Sequence, residues 1–233
     1  LRGGKRSPLG VEEIYRKLKQ KKFGIVAQDE EAGIIFENFE DFYKIRTSLK
    51  LLDKLDIFFS WGNDDYQFLN RKFDKNVIKN CGALRSCFWG DFEKKFYKKK
   101  IENLKKKYSN YIVFVSNLST FNTDLDKNET LETHLNYRGF DLNKYKTRYE
   151  NEKKIFFQYI DLIQFISKKF NKTIIVRPHP REDVREWKRA LKGIKNTFIE
   201  KEGELIPLIL GSELIIQNNC TSAIEAAASK IPV

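Results

Sequence analysis

The sequence predicts an α/β protein of two units, each organised on a parallel sheet. Three observations predict it. Short runs of β-branched and aromatic residues alternate with segments of helical period, the pattern of βαβ units. The run Thr173-Ile174-Ile175-Val176 is apolar without alternation, as a strand covered on both faces requires. A lysine-heavy stretch over 91–109 separates the two sets of alternating elements and offers few apolar anchors. The boundary is expected near 90–108, with an amino-terminal unit over 1–90, a linking helix over 91–110 and a carboxy-terminal unit over 111–233.

In the first unit, residues 1–9 are a basic, Gly-rich loop and 10–21 a helix. Phe23 to Ala27 is an apolar strand running into Gln28-Asp29-Glu30-Glu31. Phe39, Phe42, Tyr43, Ile45 and Leu49 recur at helical spacing, so 39–52 is a helix with Asn38 as its cap. Asp56 to Ser60 is the second strand, Asn63 caps a helix to Phe73, and Asn76 to Asn80 is the third strand.

In the second unit, Tyr111 to Val115 opens the sheet and ends at Ser116-Asn117-Leu118-Ser119. Residues 120–147 are polar and read as a loop with short helical pieces, a length that in compact domains is usually functional or mobile. A long amphipathic helix over 148–170 carries Ile155, Tyr159, Leu162, Ile163 and Ile166 on one side. The 173–176 strand follows, then a helix over 182–192, a short strand over 196–199, a helical turn over 205–210, a strand over 213–217 and an Ala-rich helix over 221–229.

The chain is long enough for one large domain or two small ones. It contains no methionine and ends at Ile231-Pro232-Val233, which reads as a strand just beginning, so it is expected to be an internal piece of a longer protein. The formal charge of +12 points to anionic partners: nucleotide phosphates, an anionic membrane surface or nucleic acid. Cys81, Cys87 and Cys220 have no metal-ligand spacing and fit a reducing compartment. No apolar run reaches the roughly 18 residues of a membrane span. Walker, GxGxxG and GxSxG motifs are absent.

Four stretches can carry chemistry. In Arg177-Pro178-His179-Pro180, Pro178 ends the strand because it has no N–H for the ladder, and Pro180 suits a first helical turn. Glu182 and Asp183 favour the same helix start. Arg177 and His179 then stand at the carboxyl end of a strand, where open α/β sheets bind ligands. A guanidinium offers fixed donors to phosphate, and an imidazole can donate to a phosphate oxygen. In Gln217 to Ala226 a strand turns through Asn219 into a helix start bearing Thr221, Ser222 and Glu225, a second phosphate-binding pattern. Read without a ligand, Ser222-x-x-Glu225 is a capping box. The third stretch is Asp29-Glu30-Glu31, acids after a strand that can supply a general base or simply form a solvated loop. The fourth is Asn117 and Ser119. His134 lies in a polar stretch and is expected to be exposed.

Arg177-Pro178-His179-Pro180, followed by Cys220-Thr221-Ser222-Ala223-Ile224-Glu225-Ala226, resembles the carboxy-terminal domain of GT-B-fold transferases of bacterial surface polysaccharides. These include surface carbohydrate biosynthesis proteins, capsule Kdo- and sialyltransferases and CDP-glycerol glycerophosphotransferases. In that group an HP motif and a Ser/Thr motif hold the phosphate and ribose of a cytidine-nucleotide donor; here they are His179-Pro180 and Thr221-Ser222. Asn80 to Arg85 is similar to the segment that ends their amino-terminal domain, with Ala83-Leu84 in place of a small residue and proline.

The resemblance implies a GT-B-like pair of Rossmann-type domains with a cleft between them, truncated at both ends. It implies a glycosyltransferase-like enzyme moving a sugar or polyol phosphate from a nucleotide donor to a glycan or lipid-linked acceptor. The phosphate side would use Arg177, His179, Pro180, Glu182, Asn219, Thr221, Ser222 and Glu225, with Asn117 and Ser119 beside them, and Glu30, Asp29 or Glu31 would be the base. No metal and no cofactor is expected beyond the nucleotide-activated sugar as co-substrate. An anionic membrane surface is an expected partner, nucleic acid is not, and the expected location is cytoplasmic, at the inner face of the membrane. The competing readings are a nucleotide-sugar 2-epimerase, a basic nucleic-acid-binding module and an inactive assembly scaffold.

Overall fold

The computed structural model describes residues 8–28, 39–40, 43, 52, 54–73, 76–137 and 141–233. The chain divides into two compact units, Leu1–Cys87 with Tyr137–Gly139, and Phe88–Asn136 with Phe140–Val233.

The described elements of the first unit are α1 (Pro8–Gln20), β1 (Val26–Gln28), β2 (Ile57–Ser60), α2 (Asn63–Lys72) and β3 (Ile78–Asn80), closed by a 3₁₀ turn over Leu84–Phe88. The strands form a parallel sheet in the order β1-β2-β3. Its core holds Tyr15, Ile25, Tyr43, Leu55, Phe58, Leu69 and Ile78. β1 begins at Val26, later than the apolar run predicts, because the Ile25 N–H is taken by the Asp56 carboxylate (2.6 Å) and Phe23 stays exposed. Asn63 does not cap α2. The cap residue is Gly62, and the buried Asp65 reaches back to the N–H groups of Trp61 (2.9 Å) and Gly62 (2.8 Å).

The second unit contains α3 (Asp91–Phe96), α4 (Lys98–Tyr108), β4 (Tyr111–Val115), α5 (Lys127–Tyr137), α6 (Leu142–Phe170), β5 (Thr173–Arg177), α7 (Val184–Ala190), β6 (Thr197–Ile199), α8 (Leu205–Gly211), β7 (Leu214–Gln217) and α9 (Ser222–Ala228). The strands pair in parallel in the order β6-β5-β4-β7. In chain order this is 3-2-1-4, the order of the first four strands of a doubly wound Rossmann sheet. Alternate residues separate to opposite faces. Ile112, Phe114, Ile174 and Val176 pack with Phe156, Tyr159, Ile163 and Ile166 of α6 and Trp187 of α7. Tyr111, Val113, Val115 and Ile175 pack with Leu208 and Ile209 of α8, Ala226 of α9 and Tyr108. Every residue of β4 is buried, which is why its run is apolar without alternation.

The long polar segment predicted over 120–147 is more ordered than its composition implies. It contains α5, and α6 starts at Leu142 with the Asp141 side chain capping Lys144 N (2.7 Å). Residues 122–124 also run antiparallel to the chain after β5, through Asp183 N to Asn122 O (3.1 Å) and Asp124 N to Arg181 O (2.9 Å). The linking helix is two helices, α3 and α4, meeting at Tyr97.

Candidate functional site

All strands of the second sheet run the same way, so the corners after β4, β5, β6 and β7 lie on one edge. From β4 the chain moves outward to β5 and β6 and then returns to β7 on the other side of β4. The switch point is therefore the crevice between the ends of β4 and β7, where such sheets receive ligands. Asn117 and Asn218 bridge it. The Asn117 N–H donates to Asn218 Oδ1 (3.0 Å), Asn218 Nδ2 donates to the Asn117 carbonyl (3.3 Å), and Asn117 Nδ2 reaches the Asn219 carbonyl (3.3 Å). Tyr159 of α6 donates to the same Asn218 oxygen (3.3 Å). Asn219 adopts a left-handed backbone (φ 51°), which asparagine tolerates better than most residues.

The corner after β5 is held by Glu182, whose side chain is fully buried (0 % exposed). Its carboxylate accepts from Ser116 Oγ (2.9 Å), Leu118 N (2.9 Å), His179 N (3.2 Å) and Trp187 Nε1 (2.8 Å). Burial pushes this carboxyl above its ordinary range, and the four donors work against that shift. One buried group thus ties the β4 and β5 corners together. A second buried carboxylate, Glu152 of α6, accepts from Thr120 N (2.7 Å), Phe121 N (3.1 Å) and Thr120 Oγ1 (2.9 Å) and is paired with Arg148 (2.6 Å).

His179 is half-buried between Pro178 and Pro180. Its Nδ1 accepts the Arg181 N–H (3.2 Å). In the neutral ring that bond places the proton on Nε2 and makes Nε2 a donor.

Several expectations change. Glu182, read from the sequence as part of the phosphate side, is fully buried and braces the corner from inside, and α7 starts at Val184 behind Asp183, whose side chain caps Arg185 N (2.8 Å). Arg177 turns its donors to protein carbonyls: Nη1 to Glu200 (3.0 Å) and Glu202 (2.5 Å), Nη2 to Gly203 (2.6 Å). It pins the loop after β6, and desolvation lowers its pKa. The capping box at Ser222 is not formed. Thr221 is the cap residue and α9 has no side-chain cap. The Ser222 hydroxyl is buried and pairs with no group among the described residues. Glu225 is buried on α9, Ser119 is buried in the β4 corner, and Pro180 is exposed beside His179. The acids Asp29, Glu30 and Glu31 lie outside the described residues, as does the predicted cap Asn38. The Gln28 side chain just before the acids joins the end of β1 to the 82–84 turn, donating to the Gly82 carbonyl (2.8 Å) and accepting from Leu84 N (3.3 Å). Gly82 has φ 75° there, a conformation that favours glycine. His134 falls within α5.

Asn218 and the loop over 200–204 were missed from the sequence. The loop follows β6 on the same edge, so the strand-end rule applied to that short strand would have found it. With Lys100, Asn103 and Leu104 of α4 and Pro207 and Leu208 of α8, this loop and Arg177 line a cleft of about 310 Å³. Lys201 bridges the β5 and β6 corners, donating to the Glu182 carbonyl (2.8 Å) and meeting Asp124 (3.3 Å). Among the described residues no cluster of metal-ligating side chains occurs.

No family model and no curated protein matches the chain. Among solved structures it is similar to the wall teichoic acid polymerase TagF, at 14% identity and a TM-score of 0.43, over 87% of this chain and 43% of that one. A variant of that polymerase soaked with CDPG matches at 13% identity and a TM-score of 0.42, over 87% of this chain and 42% of its own. The chain therefore spans less than half the length of the polymerase chains it matches.

Proposed function

We propose that this chain carries the donor side of a GT-B-like transferase that moves a sugar or polyol phosphate from a nucleotide, preferentially a cytidine nucleotide, to a glycan or lipid-linked acceptor in surface-polysaccharide assembly. The observation that carries the reading is the convergence of the His179 corner with the Asn117–Thr120 and Asn218–Ser222 corners on one strand-end edge, braced by Glu182. In this reading His179 Nε2 donates to the departing phosphate oxygen, held in that tautomer by the Arg181 N–H. A donor oriented before the reaction needs no reorganisation as charge develops, the largest kind of catalytic contribution expected here. Thr221, Ser222 and Asn219 supply neighbouring polar groups. Arg177 is a positioning residue: it fixes the loop over 200–203, and the cleft beside it takes the nucleoside. Its volume is at the lower end of the range for small-ligand sites. The acids Asp29, Glu30 and Glu31 are the proposed source of the base, and the inner face of the membrane is the proposed location.

Titration calorimetry of CMP, CDP and UDP against wild type and His179→Ala tests this. Cytidine-nucleotide binding that weakens about tenfold in the variant, ~1.4 kcal/mol, is expected. Selective UDP binding would move the donor class. No binding of any of the three would overturn the donor-site assignment.

A further inference from the structure

We propose that the face of α3 and the start of α4 is a docking surface for an anionic lipid bilayer. Phe88, Phe92 and Phe96 recur every four residues and are 56 %, 58 % and 72 % exposed. The Phe88 and Phe92 rings touch (centroids 5.6 Å), and Phe96 meets Tyr97 edge-on (4.9 Å), so two ring pairs in succession along the segment form an aromatic ridge and not scattered surface residues. Isolated exposed apolar residues need no explanation; a ridge of this kind does.

Charge selects the occupant. Residues 88–108 contain eight lysines against Asp91, Glu93 and Glu102, and Glu93 is buried. Lys100 and Lys107 are engaged with Glu204 and Glu200. Lys95, Lys98 and Lys99 are exposed around Phe96. At helical spacing Lys95 and Lys99 share the face of Phe92 and Phe96. Short helices with aromatic residues on one face and lysines beside them lie in the headgroup plane. Their rings enter the acyl boundary while the lysine stems carry the charges outward to lipid phosphates. A purely apolar partner would leave these ammonium groups desolvated. No described helix is long and apolar enough to cross a membrane.

The test is sedimentation of the full chain with vesicles of phosphatidylcholine alone and with 30% phosphatidylglycerol added, following Trp fluorescence in parallel because Trp89 lies within the ridge segment. Expected are binding to the anionic vesicles only, weakening with salt, and at least a tenfold loss in both Phe92→Ser/Phe96→Ser and Lys95→Glu/Lys99→Glu. Circular dichroism should stay unchanged, because these side chains are exposed. Equal binding by the phenylalanine variant and wild type would overturn the proposal. So would no vesicle binding by wild type, or concentration-dependent self-association without lipid that the variants abolish. The inference rests on the proposed location at the inner face of the membrane, and its test is separate from that of the donor site: vesicle binding without nucleotide binding would retain this surface and drop that site.

Discussion

Glu182 is the residue on which the strand-end edge depends. Its oxygens collect donors from Ser116, Leu118, His179 and Trp187, and no other described group is placed to accept them all. Replacing it by glutamine puts an NH₂ where an acceptor is needed and leaves at least one buried donor unpaired. Glu182→Gln is expected to lose about 2–3 kcal/mol of stability in urea unfolding at pH 7. A loss under about 0.5 kcal/mol would mean the carboxylate does not bind these donors together. Ser222 presents the opposite case. Its hydroxyl is buried with no partner among the described residues, an arrangement that costs about 1–3 kcal/mol in the free protein. Ser222→Ala should raise the Tm of the free protein and, if the hydroxyl meets a donor phosphate, weaken nucleotide binding at the same time. A lower Tm would refute the first half, and unchanged affinity would remove Ser222 from the site.

At the scale of elements, α7 shows how a cap and a corner share the work. Asp183 caps the helix and pairs with Arg185, and this hydrogen bonding holds its carboxyl below the ordinary range. A carboxylate with a depressed folded-state pKa contributes stability above its unfolded pKa, near 3.9, and loses it as pH falls through the lower folded value. Asp183→Asn keeps the capping oxygen but removes the charge. Arg185 is largely exposed, so the deficit at pH 7 should be modest, about 0.5 kcal/mol, and should close below pH 4. Urea midpoints at pH 7 and pH 3 check this; a gap that widens in acid would contradict the sign. The boundaries of α7 were not legible in the sequence. Two acids in a first turn look equivalent locally, yet Glu182 is drawn inward and only Asp183 is left to cap.

At the scale of the whole molecule, the alternation of strands and helices was legible because hydrophobic period is a local property. Tyr111–Val115 and Thr173–Arg177 emerge almost as predicted, since a strand covered on both faces needs an unbroken apolar run. The polar stretch over 120–147 holds its predicted helical pieces but is more ordered than its composition predicts, because that order comes from elsewhere. Glu152 holds Thr120 and Phe121 from across 31 to 32 residues, and the chain after β5 pairs with 122–124.

Local pattern is enough for the α/β class, the strands that end at the candidate edge, and the proline-bounded corner that carries His179. Those follow from period, from proline's missing N–H and from β-branched runs, each acting within a few residues. The roles of the polar side chains emerge once the strands are assembled. Glu182 reaches Ser116 and Leu118 across 66 and 64 residues, Arg177 closes on carbonyls 23 to 26 residues away, and Asn117 meets Asn218 across 101. A buried charge or amide goes wherever the fold leaves it a partner, and that partner is chosen by strand order, which no local pattern contains.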